Sequence, residues 1–211
     1  MIITLLRHAT TQWNEEGRMQ GRRNIGLNAA GRREVLAWTL PGELATAQWV
    51  SSPLLRAVQT ASLLHHRPPA IEPALIEMDW GEWEGSTLAE LQARVGEDFA
   101  RNQGRGLDFR PPGGESPREV AARLVPWLQR VAEQGAPTVA VTHNGVLRAL
   151  LSLATGWDML GKAPIKLRPG TLHRFVLEPG PHLALDACNV PLDGADAALG
   201  AAAPQLPGYP V

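Results

Sequence analysis

Ile2-Ile3-Thr4-Leu5-Leu6-Arg7-His8-Ala9-Thr10-Thr11-Gln12-Trp13-Asn14 is the stretch on which the reading of this chain turns. Its first five residues are apolar or β-branched, without Gly or Pro, and read as a buried strand. The run stops at Arg7-His8. A charged pair at the end of a buried strand is costly unless something pairs with it. In α/β sheets the carboxyl ends of the strands are where ligands bind. Arg7 and His8 are therefore expected where a reacting group would sit. A guanidinium fork grips phosphate oxygens, and an imidazole attacks or shuttles protons. Thr10, Thr11 and Asn14 add neutral donors to the same loop. By itself an Arg-His pair after a strand is more often a surface ion-pairing loop than a site. The rest of the chain decides between the two.

Thr138-Val139-Ala140-Val141-Thr142 repeats the pattern: a fully apolar or β-branched run that ends at His143-Asn144-Gly145, then a helix from Val146 to Ala154. The two histidines meet if their strands are neighbours. A short strand is expected to end at Trp49-Val50-Ser51, and Ser52-Pro53 reads as a helix cap with Pro at the first position. The helix from Pro53 to His66 carries Arg56 in its first turn, against the helix dipole. That placement makes sense if Arg56 and the helix N-terminus face one shared anion. Gly17 to Asn24 is Gly-rich and basic. It reads equally as a solvated loop or as the wall of an anion pocket, with Gln20 and the Gly21 amide as donors.

Glu77 follows an apolar run in Ala74-Leu75-Ile76-Glu77-Met78-Asp79-Trp80-Gly81-Glu82-Trp83-Glu84-Gly85. A carboxyl set against apolar surface can be pushed up in pKa and serve as a general acid. Glu82 reads as solvated. Asn28 caps a helix expected from Ala29 towards Leu40. Thr87 with Glu90, and Ser116 with Glu119, have capping-box spacing. They start helices to about Arg101 and Glu133, the second with Pro126 expected to kink it. Between them residues 102–114 read as loop, so residues 86–116 look like an excursion forming a cap over a site. Leu172–Leu177 and Leu183–Ala187 alternate as closing strands, with Glu178-Pro179-Gly180-Pro181 as their turn and His173 and His182 as structural residues. A single domain is expected over 1–189, and a loosely ordered tail over 190–211.

The chain has 211 residues, 44% hydrophobic, with a net charge of −1, enough for one substantial soluble domain. The near-neutral balance argues against a dedicated nucleic-acid or membrane-surface binder. One cysteine, Cys188, excludes an internal disulfide and is expected to be buried and inert. The N-terminal apolar run is too short for a signal segment, no stretch approaches a membrane span, and a cytoplasmic location is expected. The histidines lack metal-ligand spacing, so neither a metal nor another cofactor is expected. A monomer or homodimer is expected.

Together these pieces resemble the histidine phosphatase superfamily, the phosphoglycerate mutase-like family. The residues that carry the resemblance are Leu6 to Asn14, Ser51 to Ala61, Glu77 in its run to Gly85, Gly113-Gly114-Glu115-Ser116, and Val141 to Gly145. Five motifs in the right order cover nearly everything except the tail. The resemblance implies a three-layer α/β sandwich, with a mostly parallel central sheet flanked by helices and a helical or loop cap. It implies a phosphohistidine mechanism with His8 as nucleophile. Arg7, Arg56 and His143 would hold the phosphoryl oxygens, and Glu77 would protonate the leaving alcohol and then activate water. Asn14, Gln20 and Gly21 match positions that contact the substrate phosphate, and Thr11 and Asn144 are further candidates. Phosphoryl transfer needs positioning and charge stabilisation more than covalent machinery, and these groups supply both. The family often has Gly-Glu where this chain has Ala9-Thr10, which removes a negative charge near the pocket.

The expected activity is therefore a metal-independent phosphomonoesterase of the histidine acid phosphatase type acting on a small phosphorylated metabolite. The alternatives are a phosphoglycerate mutase and a non-catalytic phosphate-binding module. The second is weakened because every side chain of the mechanism is present.

Overall fold

A computed structural model describes residues 1–178 and 182–192. Six strands are present among them: β1 (Ile2–Arg7), β2 (Gln48–Ser51), β3 (Ala70–Ile71), β4 (Thr138–Thr142), β5 (Thr171–Leu177) and β6 (Leu183–Pro191). The helices are α1 (Gln12–Glu15), α2 (Ala29–Ala37), α3 (Leu55–His65), α4 (Leu88–Gln103), α5 (Pro117–Gln134) and α6 (Asn144–Thr155). The sheet order is β3-β2-β4-β1-β5-β6. β1, β2, β3 and β4 run parallel; β5 is antiparallel to β1, and β6 to β5.

Alternation along the central strands makes the three layers. Ile3, Leu5, Ala140 and Phe175 pack with Leu124, Trp127 and Leu150 from α5 and α6. Leu6, Val139, Val141 and Leu172 pack with Val35, Ala57 and Leu64 from α2 and α3. Successive side chains of a strand point to opposite faces, so a strand apolar at every position needs a helical layer on both sides. β4 is buried at all five positions and has both.

β1 and β4 are parallel neighbours with Arg7 opposite Thr142. The chain therefore leaves both strands at the same end, and His8 stands beside His143. The His8 amide donates to the Thr142 carbonyl at 3.0 Å. β2 lies on the far side of β4, with Ser51 opposite Val141. It delivers α3 to the same edge. Three carboxyl-terminal strand ends thus converge, as expected of a ligand site in an open α/β sheet.

Several expectations are corrected. α3 begins at Leu55 after an extended Leu54, not at Pro53. Ser52 is not its cap residue, because Leu54 holds that position, and the Ser52 hydroxyl meets His143 Nε2 at 2.6 Å. α2 stops at Ala37, short of Leu40, and Gly42–Leu44 forms a separate 3-10 turn. α5 runs from Pro117 to Gln134 through Pro126. The interruption falls in α4 instead, at Gly96, whose φ of 42° departs from helix. Asn144 is the first residue of α6, and His143 occupies the cap position. Cys188 is half-buried on β6.

Val190 and Pro191 belong to β6, and Leu192 is buried, so the tail expected from residue 190 does not begin there. Proline is tolerated in an edge strand, where an amide can be dispensed with. Residues 193–211 and Pro179-Gly180-Pro181 of the expected turn lie outside the described residues. Among the described residues no helix is long and apolar enough to cross a membrane.

Candidate active site

His8 is 6% exposed and makes two contacts that define its chemistry. Its Nδ1 lies 2.8 Å from the Ala9 carbonyl, and Arg56 Nε donates to its Nε2 at 3.2 Å. A carbonyl only accepts and a guanidinium only donates, so the network assigns the proton to Nδ1 and a lone pair to Nε2. Burial, then Arg56 and Arg7, hold the imidazole well below the ordinary histidine range. The ring is neutral, with its free nitrogen aimed at a cation. Ala9 is not among the residues with positive φ, so its Cβ brings no backbone strain.

Arg56 is completely buried. Its Nη1 donates to Arg23 O and its Nη2 to Gly21 O, both at 2.8 Å. Those bonds tie the Gly-rich loop to α3. Arg56 is pulled down to about 10, chiefly by burial, with Glu77 acting the other way; at neutral pH it stays charged. Thr60, one turn along α3, donates to Arg56 O at 2.7 Å and accepts from Ala9 N at 3.1 Å. Arg7 has a buried Nε without a hydrogen-bond partner.

His143 is fully buried, and its ring centroid is 5.2 Å from that of His8. Its Nε2 lies 2.6 Å from Ser52 Oγ, which also accepts from Leu54 N at 3.3 Å. When the Ser52 hydroxyl gives its proton to Nε2, Nδ1 of His143 carries the N–H. That Nδ1 is buried without a partner. Burial and then Arg56 hold His143 well below the usual range.

The Glu77 carboxylate accepts from Met78 N at 2.8 Å and from Gly145 N at 3.3 Å. Burial raises its pKa above the ordinary carboxylate value, partly opposed by these amides and by Arg56 and Arg7. A Cβ on Gly145 would stand 2.4 Å from Glu77 Oε1, so only glycine allows this approach.

The structure brings Arg7, His8, Arg56, Glu77 and His143 together. It treats the further candidates differently. Thr11 is fully buried; its amide and hydroxyl both donate to Asn14 Oδ1 at 3.0 Å, closing the cap of α1. Thr11 is thus committed to its own turn, and Asn14 keeps only its amide NH2 for other contacts. Gln20 is 8% exposed with a buried Oε1 that has no partner. Gly21 has φ 50°, and a Cβ there would stand 2.0 Å from Glu84 Oε1. Asn144 is half-buried at the start of α6. Glu82 is exposed as expected.

Ser52, Thr60, Gly145, Glu34 and Glu84 support the site without having been singled out as site residues. Glu34 receives the Thr10 amide at 3.1 Å and its hydroxyl at 2.8 Å. Glu84 Oε1 receives the Arg22 amide at 2.6 Å. Only Thr60 had a usable signal, four residues after Arg56 on one helix face. A cavity of about 350 Å³ is lined by Arg22, Asp79, Arg110, Gly113, Gly114, Glu115 and Glu119, and by none of the five clustered residues. Among the described residues no three His, Cys, Asp or Glu side chains form a metal-binding group.

The two neutral histidines make the fold acid-sensitive. In the unfolded chain they titrate near 6.5, so falling pH protonates that chain first and stability drops below about pH 6.5. Glu77 works the other way, since its raised folded pKa lets the folded state take up a proton first. Melting temperature should fall less between pH 7 and pH 5 in His143→Gln than in the wild type. Parallel curves would remove His143 from this linkage.

The cluster lies at the carboxyl ends of the strands of a mostly parallel sheet, and comparison with known proteins gives the family. A family model, histidine phosphatase superfamily (branch 1), matches residues 3–189, and the chain belongs to that superfamily. A bifunctional protein of Mycobacterium tuberculosis is 37% identical over 159 residues, which cover 72% of this chain and 43% of that protein. The chain thus spans less than half the length of that relative. A glucosyl-3-phosphoglycerate phosphatase of Mycolicibacterium vanbaalenii is 35% identical over 181 residues, covering 75% of this chain and 78% of the relative. A 2,3-bisphosphoglycerate-dependent phosphoglycerate mutase of Gloeobacter violaceus is 32% identical over 169 residues, covering 71% and 74%. Among solved structures, a mycobacterial glucosyl-3-phosphoglycerate phosphatase with VO3 superposes with a TM-score of 0.72 at 27% identity, covering 90% of this chain and 98% of that one.

Proposed function

We propose that the chain is a metal-independent phosphomonoesterase that cleaves small phosphorylated metabolites through a phosphohistidine on His8. The observation that carries the reading is the His8 ring, with Nδ1 on the Ala9 carbonyl and Nε2 facing Arg56 at 3.2 Å. A phosphate monoester entering between His8 and the two arginines meets a neutral nucleophile in a cationic setting. Nε2 bonds to phosphorus as the P–O ester bond breaks. The positive charge that forms on the ring is steadied by the Nδ1–H bond to Ala9. Arg7, Arg56 and the Nδ1–H of His143 take the equatorial oxygens, where transition-state charge builds. Glu77, whose pKa burial raises above the ordinary carboxylate value, reacts in its protonated form and gives that proton to the leaving alkoxide. In the second step it takes a proton from water, which attacks phosphorus and releases inorganic phosphate and His8. Gln20, Gly21, Asn14 and Asn144 are assigned to substrate contact, Thr11 to the loop that carries them.

Product analysis tests the reading against the mutase alternative. With 3-phosphoglycerate, inorganic phosphate should accumulate independently of added 2,3-bisphosphoglycerate and undiminished by a chelator. Rapid formation of 2-phosphoglycerate with little phosphate release would establish a mutase instead. Loss of activity in chelator, restored by a divalent ion, would point to a different hydrolase mechanism.

A further inference from the structure

We propose that Glu115 and Arg123, with Arg22, are positioning residues that clamp the backbone on both sides of Glu77; this rests on the acid role of Glu77 just proposed. Glu77 lies between two short 3-10 turns, Pro73–Leu75 and Gly81–Trp83, without a strand ladder to hold it. Its carboxylate is placed by backbone amides, so its position is only as fixed as residues 74–79. Two arginines, Arg22 and Arg123, and the Glu115 carboxylate they share supply that rigidity.

Arg123, on α5, donates to the carbonyls of Ala74 and Ile76, the latter at 2.6 Å. Its Nε bonds to Glu115 Oε1 at 2.9 Å. The other oxygen of Glu115 receives Arg22 Nη2 at 3.2 Å and the Asp79 amide at 3.4 Å. The Glu115 amide returns a bond to Asp79 O at 2.9 Å. Arg22 Nε reaches the carbonyl of Glu77 itself at 3.4 Å. Backbone groups of residues 74, 76, 77 and 79 are thus all tied to one network.

The side chains of Glu115 and Arg123 are only 12% and 20% exposed, so the pair is screened far less than a surface salt bridge. The same contacts account for Gly113-Gly114-Glu115-Ser116, which the proposed chemistry leaves without a role. A Cβ on Gly114 would stand 2.6 Å from Asp79 O, so glycine permits the approach that Glu115 then fastens. Ser116 caps α5 and holds Arg123 at its fixed distance along that helix.

The distinguishing readout is the leaving-group dependence of kcat/KM, which reports the phosphorylation step. Glycerol 3-phosphate needs a proton on its departing alkoxide, whereas 4-nitrophenyl phosphate hardly does. Glu115→Gln should lower kcat/KM about 10-fold or more for the first and less than about 2-fold for the second. Arg123→Lys, which keeps the charge but loses the fork, should shift the ratio in the same direction and serves if Glu115→Gln fails to fold. In a Glu77→Gln background neither change should alter the ratio further. Equal losses on both substrates, or an unchanged ratio, would overturn the clamp and leave a merely structural network. If Glu77→Gln itself spares both substrates alike, the acid role has failed, and the clamp falls with it.

Discussion

His8→Asn removes turnover, a loss of at least about 10⁴-fold in kcat, as expected when the group forming a covalent intermediate is replaced. The residue follows a strand whose neighbour is followed by His143, and its Nε2 lone pair faces Arg56 Nε at 3.2 Å. Asparagine offers an amide, which is not a nucleophile at phosphorus. It still fits the volume and can pair with either the Ala9 carbonyl or Arg56. His8 is 6% exposed and hydrogen-bonded, so some loss of stability accompanies the change, about 1–2 kcal/mol. Phosphate release and a thermal melt on one preparation separate the two effects. Activity above about one part in a thousand of wild type would contradict the nucleophilic role.

Glu77→Gln should cost about 10²–10⁴-fold in kcat/KM on alkyl phosphates, the range that a general acid supplies. On 4-nitrophenyl phosphate the phosphorylation step should be nearly spared. Met78 N donates to Oε1 and Gly145 N to Oε2, so glutamine keeps an acceptor for only one of the two amides, and a thermal melt on the same preparation separates any loss of stability from the loss of the acid. The pH profile follows from the same residue. Burial raises the Glu77 pKa, and the first step uses its protonated form. For alkyl esters kcat/KM should therefore fall as pH rises through that raised pKa. The falling limb should vanish in the glutamine variant. A limb that survives would assign it to another group, with Asp79 and Glu84 next to be tested.

Much of this site is legible in the chain because its members sit where patterns break. Arg7-His8 and Thr142-His143 each interrupt a run of buried apolar residues, and a sheet with parallel neighbours must bring such interruptions to one edge. Arg56 is readable as a cation in the wrong turn of a helix. Other features depend on partners remote in sequence. Ser52 reads as a cap for α3, yet its hydroxyl belongs to His143, 91 residues away. The Gly145 amide finds Glu77 across 68 residues, and no local pattern announces it. Thr11 and Asn14 are polar residues in the right loop, but they satisfy one another. β3 has two residues, too few for any alternation to show. Val190-Pro191-Leu192 stands at the start of an Ala-, Gly- and Pro-rich stretch, and composition hides an edge strand that closes against β5.

The central claim is the covalent intermediate, and the most direct measurement is rapid mixing with a good phosphate ester followed by denaturation at alkaline pH, where a phosphoramidate survives. Peptide mass spectrometry should then find one phosphoryl group on the peptide containing Arg7-His8-Ala9, at His8. The adduct should be lost on acid treatment and absent in His8→Asn. Turnover at full rate without that adduct, or with the phosphoryl group on another side chain, would contradict the account.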